Sequence, residues 1–385
     1  MLKICYTALN TAKQVIDKKF LAFIIFFFFN ILLINTQNIK SPVNNKVLSK
    51  KYFNSYSFFA GGHLYGYPSL SVFVAPSLLA TIDTINYCKP DFFISLGDNF
   101  RKTDSINILN FKKFFANKLK CPMFISVGNH DVSNYSIYNN FFGNTYYAFY
   151  FENDFFIFLD SEIDNGEIKG KQLEFLKDKT EEIYDNQTVQ NIFVLCHRLI
   201  WSTNDTTFKY IYENTNAVDG YPVSNNYAEN VFPLLNKMAK NKNLYFLSGD
   251  IGVTLKDKRW GFPVFYYKLP TTNITYVANG IGDNEKDAIL KIDVDEKGYV
   301  KFDIFPLTSY KWENIENYGI DFWKQYFKDK PAFHSKTGTG KLNQNNNVTF
   351  ITKCKNIVKN KYFLYGIPCG LILALIIWFL FKKFK

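Results

Sequence analysis

The chain has 385 residues, 47% of them hydrophobic and 21% charged, with a formal net charge of +11. That length holds one large domain or two smaller ones, and the apolar share permits a sizeable core. The positive balance suits phosphorylated or otherwise anionic partners. No helix carries a concentrated basic stripe and no nucleic-acid motif is present, so nucleic acid is set aside as a partner.

Residues 1–19 carry Lys3, Lys13, Lys18 and Lys19 and read as a cytoplasmic N-terminus. Residues 20–35 open with an apolar block interrupted only by Asn30, either a signal-peptide core or a short transmembrane anchor. Its length favours the former; its bulky Phe residues and the want of a small-residue cleavage site favour the latter. Residues 36–54 are polar and read as a linker, after which strands and helices alternate over 55–310. Helical spacing marks 68–88 and 106–120. Residues 264–269, 274–278, 288–294 and 300–305 read as strands, the last two joined by a hairpin at Asp295-Glu296-Lys297-Gly298. An extension over 311–361 begins with an aromatic, charged helix and ends in a Gly/Asn-rich stalk. Residues 362–381 include 19 uncharged positions from Phe363 to Phe381, enough to cross a bilayer, and the lysine tail 382–385 follows. Lysines at both ends place both termini in the cytoplasm and the large domain outside. The six Cys have no metal-type spacing, and sequence alone pairs none of them.

Five apolar, β-type runs end abruptly in potential metal ligands. The central one is Phe124-Ile125-Ser126-Val127, which runs into Gly128-Asn129-His130-Asp131. The others end in Gly61-Gly62-His63, Gly97-Asp98-Asn99, His197 and Gly249-Asp250. Val and Ile favour a buried strand, Gly allows a sharp turn, and the C-terminal edge of an open sheet is where α/β folds bind ligands. Each residue alone is ordinary turn chemistry. Yet three of the chain's four His, namely His63, His130 and His197, sit at such ends.

Gly-Asp, then Gly-Asn-His-Asp, then a strand-end His resembles the calcineurin-like metallophosphoesterase superfamily, which includes the purple acid phosphatases. The resemblance covers about residues 55–307, with Tyr146–Phe149, Phe155–Ser161 and Gly170–Leu176 as secondary matches. It implies an α/β fold, a four-layer αββα sandwich, here flanked by transmembrane helices. It also implies hydrolysis of a phosphate mono- or diester by metal-activated hydroxide. A pair of ions about 3.5–4 Å apart neutralises charge and supplies that hydroxide. By this resemblance Asp98 bridges the ions, Asn129 and His197 bind the second, and His130 contacts the phosphate or protonates the leaving oxygen.

The chain also departs from the pattern. The family's opening Asp-x-His is Gly61-Gly62-His63, and its closing Gly-His-x-His is Gly249-Asp250-Ile251-Gly252. A second Asp is replaced by Arg101, a weak candidate for clamping phosphate. The second ion keeps Asp98, Asn129, His197 and Asp250, a donor set suited to Mn, Fe or Zn. The first ion keeps only His63 and the shared Asp98. The expectation is a membrane-anchored enzyme with one well-formed metal site and one short of donors, taking a phosphoester as substrate. The alternative is an impaired module of the same fold that binds a ligand or partner. Oligomeric state is open.

Overall fold

The structure is a computed structural model that describes residues 38–49, 54–67, 74–203, 205–215, 226–252 and 261–329. The apolar stretches at 20–35 and 362–381, the stalk and His334 lie outside these residues. Among the described residues, no helix is long and apolar enough to cross a membrane.

In chain order the strands are β1 (Ile39–Lys40), β2 (Val47–Leu48), β3 (Tyr56–Gly61), β4 (Phe92–Ser95), β5 (Met123–Ile125), β6 (Tyr147–Phe151) and β7 (Asp154–Leu159). They continue with β8 (Asn191–Cys196), β9 (Asn243–Ser248), β10 (Val264–Lys268), β11 (Ile274–Asn279), β12 (Ala288–Val294) and β13 (Val300–Pro306). Two mixed sheets result, ordered β13-β12-β3-β4-β5 and β10-β11-β9-β8-β7-β6. β3, β4 and β5 run parallel, as do β7, β8, β9 and β11, while β6, β10, β12 and β13 pair antiparallel.

The doubled aromatic residues explain how the layers stack. Successive side chains of a strand point to opposite faces, so Phe58 and Phe59 of β3 feed two different cores. Between the sheets, Phe58 meets Phe193 edge-on at 5.4 Å, Phe92 meets Phe156 at 5.4 Å, and Phe124 meets Phe149 at 4.7 Å between ring centroids. Phe59, Phe93 and Ile125 face outward into a second core with Leu78, Ile108 and Phe115. The far face of the six-stranded sheet is covered by the helices Gly170–Asp185 and Phe232–Met238, through Leu176, Ile183 and Leu235. Strands buried on both faces read as unbroken apolar runs. Helix, sheet, sheet, helix is the order of layers expected from the sequence.

Two segments pack more closely than their sequence suggests. Part of the polar 36–54 stretch docks through short side chains: Ser41 Oγ donates to Met123 O at 2.5 Å, and Asn44 Nδ2 donates to Ala116 O and Cys121 O at 2.9 and 3.0 Å. Residues 310–314 are irregular, and the helix is confined to Ile320–Phe327. Its Trp323 is buried and donates Nε1–H to Val264 O at 3.1 Å, which ties the segment to β10. The expected helix at 106–120 is Ser105–Phe111 followed by a wider turn, Lys112–Ala116. Cys88, Cys121 and Cys196 are free thiols.

Candidate metal centre

The parallel strands bring their C-terminal ends to one edge, where glycines let five loops crowd together. A Cβ on Gly62 would fall 2.4 Å from Gly249 Cα, and one on Gly249 would fall 2.0 Å from Leu96 O. The loops after β3, β4 and β9 therefore touch backbone to backbone. His63 and Asp98 sit in the left-handed region, with φ of 50° and 59°. Non-glycine residues there are uncommon and cluster at functional sites. His63 N–H donates to Gly97 O at 2.9 Å, which links the two loops.

At this junction lie His63, Asp98, His197 and Asp250, all buried. His63 lies between the carboxylates, with Nδ1 3.2 Å from Asp98 Oδ2 and Nε2 3.1 Å from Asp250 Oδ1. His197 Nε2 is 3.6 Å from Asp98 Oδ2 and 3.9 Å from Asp250 Oδ1. Ligand atoms of His63, His197 and Asp250 all lie within 4.8 Å of one another. Burial alone would lower the basicity of His63, but hydrogen bonds to Asp250 and Asp98 outweigh it and push the imidazole up to about 9. Burial opposes ionisation of Asp98, yet the adjoining His197 and His63 hold it well below the usual carboxylate range. Asp250 is lowered as well, against burial, first by the His63 hydrogen bond.

The donor set fits a divalent ion. His197 Nδ1–H donates to Leu96 O at 2.7 Å, so Nε2 carries the lone pair. That nitrogen is buried and without a hydrogen-bond partner. A lone pair fixed this way, aimed between two carboxylates, is the usual arrangement of a metal-ligating histidine. The sequence set His63 apart in a poorly furnished first site. In the structure it lies 3.2 Å from Asp98 and also stands with His197 and Asp250, because the β3 and β9 loops meet at Gly62 and Gly249.

The two positions lacking family ligands are walled in. A Cβ on Gly61 would fall 2.7 Å from Ile289 Cγ2. Gly252 has φ +91°, and its Cβ would fall 2.3 Å from Gly280 O. At Gly252 the obstacle is backbone, whereas at Gly61 it is the Ile289 side chain, which a larger residue would have to displace.

Beside this cluster, Asn129 and His130 are half-buried and Arg101 is exposed. His130 N–H donates to Asp98 Oδ1 at 3.1 Å, and its Nδ1–H donates to Arg101 O at 2.7 Å, leaving Nε2 for a substrate. Three further side chains, to which the sequence assigned no role in the site, hold it together. Asp131 accepts from Asp98 N, Asn99 N, Asn99 Nδ2 and Gly128 N at 2.7, 2.8, 3.0 and 3.0 Å. Burial, then the charge of Asp98, pushes its carboxyl up to about 7. Arg198, buried next to His197, donates Nε–H to Glu162 Oε1 at 2.7 Å and brings Nη1 to 3.9 Å from Asp250 Oδ2. Tyr65 OH donates to Asp98 Oδ2 at 3.3 Å. Asp131 closes the Gly-Asn-His-Asp motif and Arg198 follows the strand-end His; these adjacencies were the only signals.

The calcineurin-like phosphoesterase family profile matches residues 72–227. Over these residues, fewer than half of the chain, it is similar to the calcineurin-like phosphoesterases. The match takes in Asp98, Asn129, His130 and His197, while His63 and Asp250 lie beyond its ends. No curated protein matches the chain. Among solved structures it is similar to a purple acid phosphatase from yellow lupin (Lupinus luteus) seeds, at 11% identity and a TM-score of 0.46 over 69% of this chain. The chain spans 54% of that lupin protein. It is also similar to a dimetal phosphatase from Danio rerio, at 11% identity and a TM-score of 0.44, covering 66% of this chain and 96% of the other. A conserved uncharacterized protein of Streptococcus pneumoniae, described as a predicted phosphoesterase, gives 9% identity and a TM-score of 0.29, covering 66% and 90%.

Proposed function

We propose that the chain is a calcineurin-like phosphoesterase that hydrolyses a phosphate mono- or diester at the junction of His63, Asp98, His197 and Asp250. The observation that carries this reading is the buried, partnerless His197 Nε2 facing two carboxylates. A divalent ion held by these residues, with Asn129 at the rim, would offset phosphoryl charge and lower the pKa of a water. The chain's own residues do the rest. Asp131 fixes the loop that presents Asp98, and Arg198 stands behind Asp250. His130 is the proton donor to the leaving oxygen, through Nε2, because its Nδ1–H is engaged by Arg101 O. Arg101 is a weaker candidate for contacting the phosphate.

The test uses purified full chain. Elemental analysis should find about one Mn, Fe or Zn per chain, and p-nitrophenyl phosphate or its bis-ester should be hydrolysed. Asp98→Asn should abolish turnover and weaken ion retention. A second reading, an impaired module that binds a ligand or partner, draws on the closed walls at Gly61 and Gly252. It takes over if the ion is held but neither ester is cleaved.

The same reading makes 20–35 and 362–381 membrane segments, with both termini cytoplasmic and the phosphoesterase domain outside. It rests on the length of the uncharged stretches and on the flanking lysines. Protease added to intact cells should digest the large domain and spare the lysine tail; a protected domain would sink this topology.

A further inference from the structure

The layer outside the five-stranded sheet differs in kind from the layer on the opposite side. Residues 101–120 carry Arg101, Lys102, Lys112, Lys113, Lys118 and Lys120 against a single acid, Asp104. All six are at least partly exposed. The same segment exposes Ile106, Leu109 and Phe114, by 73%, 56% and 42%. On the opposite layer several lysines pair with acids: Lys169 Nζ lies 3.0 Å from Glu167, Lys179 Nζ lies 2.6 Å from Glu182, and Lys237 pairs with Glu181. The sequence shows no basic stripe because the cations do not share one helix. The loop before Ser105–Phe111, the wider turn Lys112–Ala116 and the loop after it each contribute to the surface.

We infer that this face docks on an anionic lipid bilayer, and that the phosphoester reaching the metal centre is a lipid headgroup. Apolar side chains that insert at the headgroup boundary, ringed by Lys and Arg, form the composition that binds such surfaces. Charge complementarity selects an anionic surface. The exposed Ile, Leu and Phe select a bilayer over a nucleic acid, whose backbone offers them nothing to enter. The face adjoins the centre: the segment starts three residues after Asp98, and Arg101 O holds the His130 ring at 2.7 Å. The headgroup assignment rests on the phosphoesterase reading, whereas the docking does not.

The experiment is hydrogen exchange by mass spectrometry on the full chain, with vesicles of phosphatidylcholine alone or with about a third phosphatidylserine. Peptides from 101–120 should exchange several-fold more slowly on the anionic vesicles, while peptides from 170–185 serve as an unchanged reference. Salt near 1 M, where the screening length falls to about 3 Å, should remove the difference. Lys112→Glu with Lys113→Glu, and separately Ile106→Ser with Leu109→Ser, should also remove it. These surface changes should leave hydrolysis of soluble p-nitrophenyl phosphate intact and reduce hydrolysis of a phosphorylated headgroup in anionic vesicles. Equal exchange on both lipid mixtures overturns the proposal. So does equal slowing by a single-stranded oligonucleotide, or slowing that follows protein concentration without vesicles, which would mean a second copy. If wild type cleaves no ester yet shows the anionic protection, docking stands and the phosphoesterase reading falls.

Discussion

Asp131 and His130 are sequence neighbours with different tasks, and the difference is measurable. Asp131 accepts four hydrogen bonds and is fully buried. Asp131→Ala strands those N–H groups, each at about 1–3 kcal/mol. The variant should unfold at least about 3 kcal/mol more easily in urea, and it should lose its ion because Asp98 is no longer held. His130 makes one backbone bond that any residue would keep and one side-chain bond near the surface. His130→Ala should therefore change stability by no more than about 0.5 kcal/mol and retain the ion. Its turnover should drop about 10²–10⁴-fold, the usual worth of a general acid. An ion lost on His130→Ala would move that residue from substrate to ligand.

At the scale of elements, the centre depends on how closely strand ends approach. The loops after β3, β4 and β9 pack with no room for a methyl group at Gly62 or Gly249. Gly249→Ala puts a carbon 2.0 Å from Leu96 O, so either the β9 loop or the β4 loop must move, displacing Asp250 or Asp98. Metal retention should fall even where the chain still folds, and the melting temperature should drop by several degrees. Unchanged metal affinity in Gly249→Ala would show that the loops are more yielding than their contacts imply. These approaches also mark the limit of what could be read beforehand. The strand-end motifs were legible because apolar runs and turn glycines are local features. The grouping of His63 with Asp250 was not, since 187 residues separate them and only the sheet order brings them together. Arg198 was passed over for a similar reason: a buried guanidinium looks like any surface Arg until Glu162 is seen beside it. The docked Ser41 and Asn44 read as linker because short polar residues signal loops whether or not a backbone carbonyl awaits them.

At the scale of the whole molecule, the sandwich carries buried carboxyls far from the metal centre that make its stability depend on pH. Asp154, at the opposite end of β7, accepts from Tyr56 OH at 2.5 Å and from Asn191 N and Nδ2 at 2.9 Å each. Burial pushes its carboxyl up to about 6 despite those bonds. The folded state therefore holds a proton that the unfolded chain, titrating at about 3.9, has already released. A carboxyl raised on folding contributes stability that is complete below the unfolded value and is lost as pH rises through the folded one. For Asp154 that window runs from about 4 to about 6. A shift of this size corresponds to about 3 kcal/mol in all, most of it lost across the window and the stability constant above it. Asp154→Asn is a clean comparison: its carbonyl can still accept from Asn191, its amide can donate to the Tyr56 oxygen, and nothing titrates. The quantity to measure is the difference in urea unfolding free energy between wild type and Asp154→Asn from pH 4 to 7. Wild type should lose about 2 kcal/mol relative to the variant over that range. Asp98 and Asp250, whose shifts run the other way, cancel in the difference because both proteins keep them. A flat difference would mean that Asp154 stays ionised on folding, held by its three donors. A difference that grew toward low pH would reverse the sign and place the Asp154 charge among the forces that stabilise the sheet.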